Sequence, residues 1–154
     1  MELNELMAAF GAEIGIADLA ADGGGSYKIS FDEMIVSLSE DREAGRLVIQ
    51  GEVGEPPEGG REHFYRLLLE MGYRGVLTGG AAFVMEPNAE TVWLQRVDAL
   101  ATLDFEGFKS VLESFVTLLE NMSRTVADLG SVAAAIAAGK PSADEADVSG
   151  FMKI

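Results

Sequence analysis

The chain has 154 residues, with 11 basic and 26 acidic side chains and a formal net charge of -15. That length can bury a real core, and 48% hydrophobic against 24% charged residues is too apolar for a wholly disordered protein. So negative a field repels nucleic-acid phosphates and anionic lipid, so neither is an expected partner. The acidity reads as a solubilising surface rather than as a demand for a cationic one.

Residues 2–16 carry Leu3, Leu6, Met7, Phe10 and Ile14 at three- and four-residue spacing, which predicts an amphipathic helix. Gly15 and the stretch from Asp18 to Gly25 end it in a loop. Gly23-Gly24-Gly25 lacks the Lys and Ser/Thr of a phosphate-binding loop and reads as a turn. Three strands follow. The first is Tyr27 to Phe31, the second carries Met34, Val36 and Leu38 in alternation with Ile35 and Ser37, and the third is Arg46 to Val53. The linkers Phe31-Asp32 and Ser39 to Gly45 are short and polar, as antiparallel hairpins require.

Gly54 to Gly60, with Pro56 and Pro57, interrupts regular structure. A second helix is expected over about Arg61 to Met71, with Phe64, Leu67, Leu68 and Met71 on one face. His63 near its first turn is a surface or packing histidine, because no second histidine, cysteine or serine-nucleophile pattern accompanies it. After the Gly79-Gly80 break come a fourth strand, Ala81 to Met85, a turn over Glu86 to Glu90, and a fifth strand, Thr91 to Val97. In that last strand Thr91, Trp93, Gln95 and Val97 share one face, and Val92, Leu94 and Arg96 the other.

Asp104 is the expected N-cap of a long helix in which Phe105, Phe108, Leu112, Phe115, Leu119, Met122, Val126 and Leu129 keep helical spacing. The alanine-rich stretch to Ala138 is compatible with a continued helix and with fraying. Gly139-Lys140-Pro141 stops it, and the rest reads as a mobile acidic tail. The order α-β-β-β-α-β-β-α predicts an α+β domain over residues 1–138, a twisted antiparallel sheet packed against helices, with a tail from 139 to 154.

Chemistry is sparse. There is no cysteine and a single histidine, which removes disulfides, thiolate nucleophiles and cysteine or multi-histidine metal sites. The acidic clusters lack the regular order of a calcium loop, and no hydrolase, zincin or redox motif occurs. No catalytic, metal or cofactor residues are therefore expected. No apolar run approaches the roughly 18 residues that cross a bilayer, and the first residues carry acids where a secretory signal carries bases. A soluble protein of a reducing cytosol is the expectation.

Several local phrases then stand in a telling order. They are Phe10-Gly11 with Ile14-Gly15-Ile16, then Phe31-Asp32, Gly45-Arg46-Leu47 and Gly54-Glu55-Pro56-Pro57-Glu58. Leu67-Leu68-Leu69, Thr78-Gly79-Gly80-Ala81, Phe83-Val84-Met85-Glu86-Pro87 and Val92-Trp93-Leu94 follow, and the run closes with Leu100 through Phe115. Over about residues 3–125 the chain resembles the class I chaperones of bacterial type III secretion, small acidic dimers related to the Tir chaperone. It departs from them at Met71-Gly72, where members often carry Ala-Asn.

The resemblance implies a non-catalytic cytosolic homodimer. It would bind the N-terminal segment of one or a few secreted effectors in extended form and keep them soluble and fit for export, with the secretion-apparatus ATPase as a further partner. It also implies a dimer interface on the second helix and fourth strand, with Phe64, Leu67, Leu68, Met71, Phe83 and Met85; Trp93 belongs there or to the cargo surface. Effector contacts would fall to Leu3, Leu6, Phe10, Ile29, Ile35 and Val36. The rival readings are a small acidic interaction module, either an inhibitor or a nucleic-acid mimic, that binds a basic folded partner, and a carboxylate-dependent hydrolase. Residues 1–60 hold 13 acids and 3 bases, whereas 61–100 hold 5 and 4, so the stretch assigned to dimer contact is the near-neutral one.

Overall fold

The computed structural model describes residues 1–17 and 19–139; the expected tail lies, from Lys140 onward, outside the described residues. Helix α1 spans Leu3–Ile14 and buries Leu3, Leu6, Met7, Phe10 and Gly11. Its first turn is closed by the Glu5 carboxylate, which accepts a hydrogen bond from the Glu2 N–H at 3.0 Å. It stops two residues short of the expected Ile16 because Gly15 takes a left-handed conformation, φ 79°.

Strands β1 (Tyr27–Phe31), β2 (Met34–Asp41) and β3 (Arg46–Gly54) form an antiparallel meander, with Ile29 opposite Val36 and Leu38 opposite Ile49. The Asp32-Glu33 turn joins β1 to β2, with Asp32 at φ 53°, a conformation its short polar side chain tolerates. The linker expected over Ser39 to Gly45 is corrected: Ser39, Glu40 and Asp41 continue β2, paired with Val48, Leu47 and Arg46. Backbone hydrogen bonds carry a strand past the end of its apolar pattern, so hydrophobic alternation alone stops too early.

Helix α2 is Arg61–Met71, strands β4 and β5 are Ala82–Met85 and Val92–Ala99, and α3 is Phe105–Ala137. The five strands form one antiparallel sheet in the order β1-β2-β3-β5-β4, so the fold is α+β. Asp104 caps α3 as expected, its Oδ1 accepting from Gly107 N–H at 2.7 Å. The alanine-rich stretch does continue the helix.

The chain divides into two compact units, and β3, β5 and α3 each run from one into the other. The first unit is Met1–Gly51 with Gln95–Thr117. Its core gathers the buried face of α1, Ile29, Val36, Leu38, Leu47 and Ile49 of the meander, and Phe108, Leu112 and Phe115 of α3. Phe10 and Phe108 meet edge to face, 6.1 Å between ring centroids. Lys109 joins α3 to α1, with Nζ 3.1 Å from Glu13 Oε1. The second unit is Glu52–Leu94 with the chain from Leu118 onward. Here Phe64, Leu67, Leu68 and Met71 of α2 are buried with Val92, Leu94, Leu119, Met122, Val126 and Leu129.

Among the described residues no helix is long and apolar enough to cross a membrane.

Candidate functional site: an apolar surface on α2 and β4

Helix α2 carries two apolar stripes. Phe64, Leu67, Leu68 and Met71 point inward. Tyr65 and Leu69, continued by Tyr73 in the following single turn, repeat every four residues and so share the opposite side. Leu69 is 77% exposed and Tyr73 73%. Water around so large a leucine surface is unfavourable by an amount comparable with full burial of the side chain, about 1.5–3 kcal/mol. Next to this stripe lies a groove of about 350 Å³ lined by Tyr65, Leu68, Leu69, Phe83, Val84, Met85 and Val92. Glu62, Arg66 and Glu70 border the stripe, and Arg66 Nε donates to Glu70 Oε1 at 2.9 Å, which pairs two of the charges beside the apolar ground.

The segment after α2 is tightly built. Arg74 sits at φ 61°, and the buried Thr78 hydroxyl donates to the Ala81 carbonyl at 2.6 Å. Arg61 pairs through both terminal guanidinium nitrogens with Glu90 in the β4–β5 turn. That hydrogen bond, backed by the guanidinium charge, holds the Glu90 carboxyl below its ordinary range. These contacts fix α2 and β4 as walls of one groove.

The expected interface residues divide accordingly. Phe64, Leu67, Leu68 and Met71 are buried within the chain; Met85 is exposed, and Phe83 and Trp93 are half-buried. The first four pack in the chain's own core, with Leu68 also lining the groove, and Tyr65, Leu69, Tyr73, Phe83 and Met85 make up the apolar surface that remains partly or largely exposed. Leu69 and Tyr73 were absent from the expected set. Their signal was legible as the 65-69-73 spacing, but Glu and Arg neighbours mask it.

The expected effector contacts divide the same way. Leu3, Leu6, Phe10, Ile29 and Val36 are core, while Ile35 is 57% exposed opposite Ser30 on β1, an edge strand of the sheet. Gln50 Nε2 donates to Gln95 Oε1 at 2.8 Å and ties β3 to β5. A separate cleft of about 970 Å³ at the start of α1 and the β2–β3 turn carries Glu2, Glu40, Asp41 and Glu43 beside Arg42. Among the described residues no group of three or more histidines and carboxylates stands close enough to hold a metal.

Comparison with known proteins decides the family. The model of the Tir chaperone protein (CesT) family matches residues 5–123. The chain belongs to the Tir chaperone family. It is thereby a class I type III secretion chaperone, a kind of protein that works by binding rather than by catalysis. Solved structures of the same fold include a chain of the ExsC-ExsE complex, with 24% identity and a TM-score of 0.68 over 82% of this chaperone and 97% of that chain. A chain of the HopA1-SchA chaperone-effector complex matches at 17% identity and TM-score 0.61, over 79% and 90%. The structure of the Yersinia pestis type III secretion chaperone SycH with a fragment of YscM2 matches at 19% and 0.56, over 77% and 97%. No individually curated protein matches the chaperone significantly.

Proposed function

We propose that the protein is a cytoplasmic, homodimeric chaperone that binds the N-terminal segment of a type III secreted effector in extended form and keeps it soluble for export. The observation that carries this reading is the family match over residues 5–123. Fold neighbours that are themselves a chaperone-effector complex and a type III secretion chaperone with a bound fragment support it.

The physical chemistry agrees. Two copies meet through Leu69, Tyr73, Tyr65, Phe83 and Met85, backed by Phe64, Leu67, Leu68 and Met71; Trp93 lies at the margin. Residues 61–100 are nearly neutral, so like-charged subunits approach there at little electrostatic cost. An extended effector segment adds to the open edge of β1 through main-chain hydrogen bonds. Its apolar side chains lie against Ile35, over the core of Leu3, Leu6, Phe10, Ile29 and Val36. Main-chain pairing tolerates varied cargo sequence, which suits a chaperone serving one or a few effectors. The loaded dimer then docks on the secretion-apparatus ATPase.

Co-expression with the protein encoded beside it tests the reading. A neighbour that is soluble only in the presence of this chain, and that co-purifies through its first residues with two copies of it, is the expected result. A neighbour left insoluble and unbound, with a 16.4 kDa monomer in sedimentation, overturns it.

A further inference from the structure

Helix α3 runs past the end of the family match, from 124 to Ala137. The added turns are packed: Val126, Leu129, Val132 and Ala133 are buried. They lie against the segment before α2 and against α2 itself. A methyl group at Gly60 would collide with the Ala133 carbonyl oxygen, one at Gly54 would stand 3.3 Å from Val126 Cγ1, and one at Gly130 3.9 Å from the Phe64 ring. Gly60 is at φ 79°, and its carbonyl accepts the first helical bond of α2, from Phe64 N–H at 2.9 Å. So close an approach of two backbones requires that position 60 carry no side chain.

Helix α2 needs outside support. It has 11 residues and no side-chain cap at its N-terminus, and a helix shorter than about 12–15 residues is marginal by itself. We infer that residues 124–137 are a built-in brace, in which the last turns of α3 hold the start of α2. They thereby fix the α2 surface that, on the reading above, meets the second copy. The Ala133 carbonyl against Gly60 is the seat of the brace, and Val126 and Gly130 align it against Gly54 and Phe64. The brace lies beyond the residues that the family model matches.

A double-mutant cycle tests it. Gly60→Ala is made in the full chain and in a chain ending at Gly130, which lacks Ala133. In the full chain the added methyl meets the Ala133 carbonyl, and a Tm loss of about 6 °C is expected for a domain of this size; in the shortened chain the loss is at most half of that. Equal losses overturn the brace, since only the left-handed conformation of residue 60 would then matter. If the shortened chain does not fold, amide exchange in full-length Val126→Ala, which trims the brace without altering residue 60, decides. Exchange at 61–71 rises about tenfold while the amides of α1 keep their rates, because only local opening is affected. Unchanged α2 rates, or an equal rise in both helices, overturn the inference. The proposed dimer is judged separately: a monomeric wild-type protein sinks that reading and leaves the exchange result to decide the brace.

Discussion

Helix α1 buries Leu3, Leu6, Met7 and Phe10 and leaves Ile14, in its last turn, 44% exposed; helix α2 buries four apolar side chains as well, yet leaves Leu69 and then Tyr73 more than 70% exposed. Both helices anchor a core, one in each compact unit. The difference lies in the second face. That of α1 carries only small or polar residues, Asn4, Glu5, Ala8 and Ala12, whereas that of α2 carries an apolar stripe among paired charges. The comparison teaches that an apolar residue count does not locate an interaction surface. What locates it is apolar area left over after a helix has satisfied its own core.

Four measurements break or sharpen that contrast. The largest effect is expected inside: Phe64→Ala empties a fully buried aromatic site and should cost about 3–5 kcal/mol of unfolding free energy in denaturant titration. A loss below 1 kcal/mol would mean that α2 is not anchored by this stripe. Next comes the outer stripe. Leu69→Asp should leave the melting of the monomer nearly unchanged while weakening self-association about 100-fold in sedimentation equilibrium, equivalent to about 2.7 kcal/mol. If the variant unfolds instead, the exposed leucine belongs to the core after all.

A smaller effect belongs to the helix that both units share. Asp104→Ala removes the cap of α3 and should cost about 1 kcal/mol, detectable as a shifted denaturation midpoint with an unchanged slope. The smallest is the surface pair at the start of α2. Glu90 is held below its ordinary range by the hydrogen bond and charge of Arg61. Its contribution is therefore fully present above the ordinary glutamate range and is lost as pH falls through the lowered value. Glu90→Gln should flatten the acid limb of a Tm-against-pH profile slightly, and less so in high salt, because the pair is exposed. A profile insensitive to both the substitution and salt would show that the pair holds nothing.

Much of the fold was legible because its periodicities are long. The stripe from Phe108 to Leu129 returns as buried positions along α3, and the bounds of α2 are those the spacing predicts. Ends were less legible: β2 continues through Glu40 and Asp41 because backbone pairing does not depend on side-chain polarity. The candidate site was half legible. The elements α2 and β4 were named from the resemblance, but the residues chosen on them were the strongest apolar positions. Strong apolar periodicity marks the face that a chain buries in itself, so Phe64 and Leu67 were bound to be core. Leu69, which breaks the pattern of its own helix, was the informative residue.

The sequence by itself determined the class of elements, their order and the lack of thiol chemistry, since each depends on which residue types the chain holds and how they are spaced along it. Tertiary structure alone decided which apolar side chains remain in water. It also decided that the alanine-rich end of α3 is packed against Gly60 rather than frayed. Burial is a property of what lies opposite a residue in space, and for Ala133 and Gly60 that neighbour is more than seventy positions away in the chain.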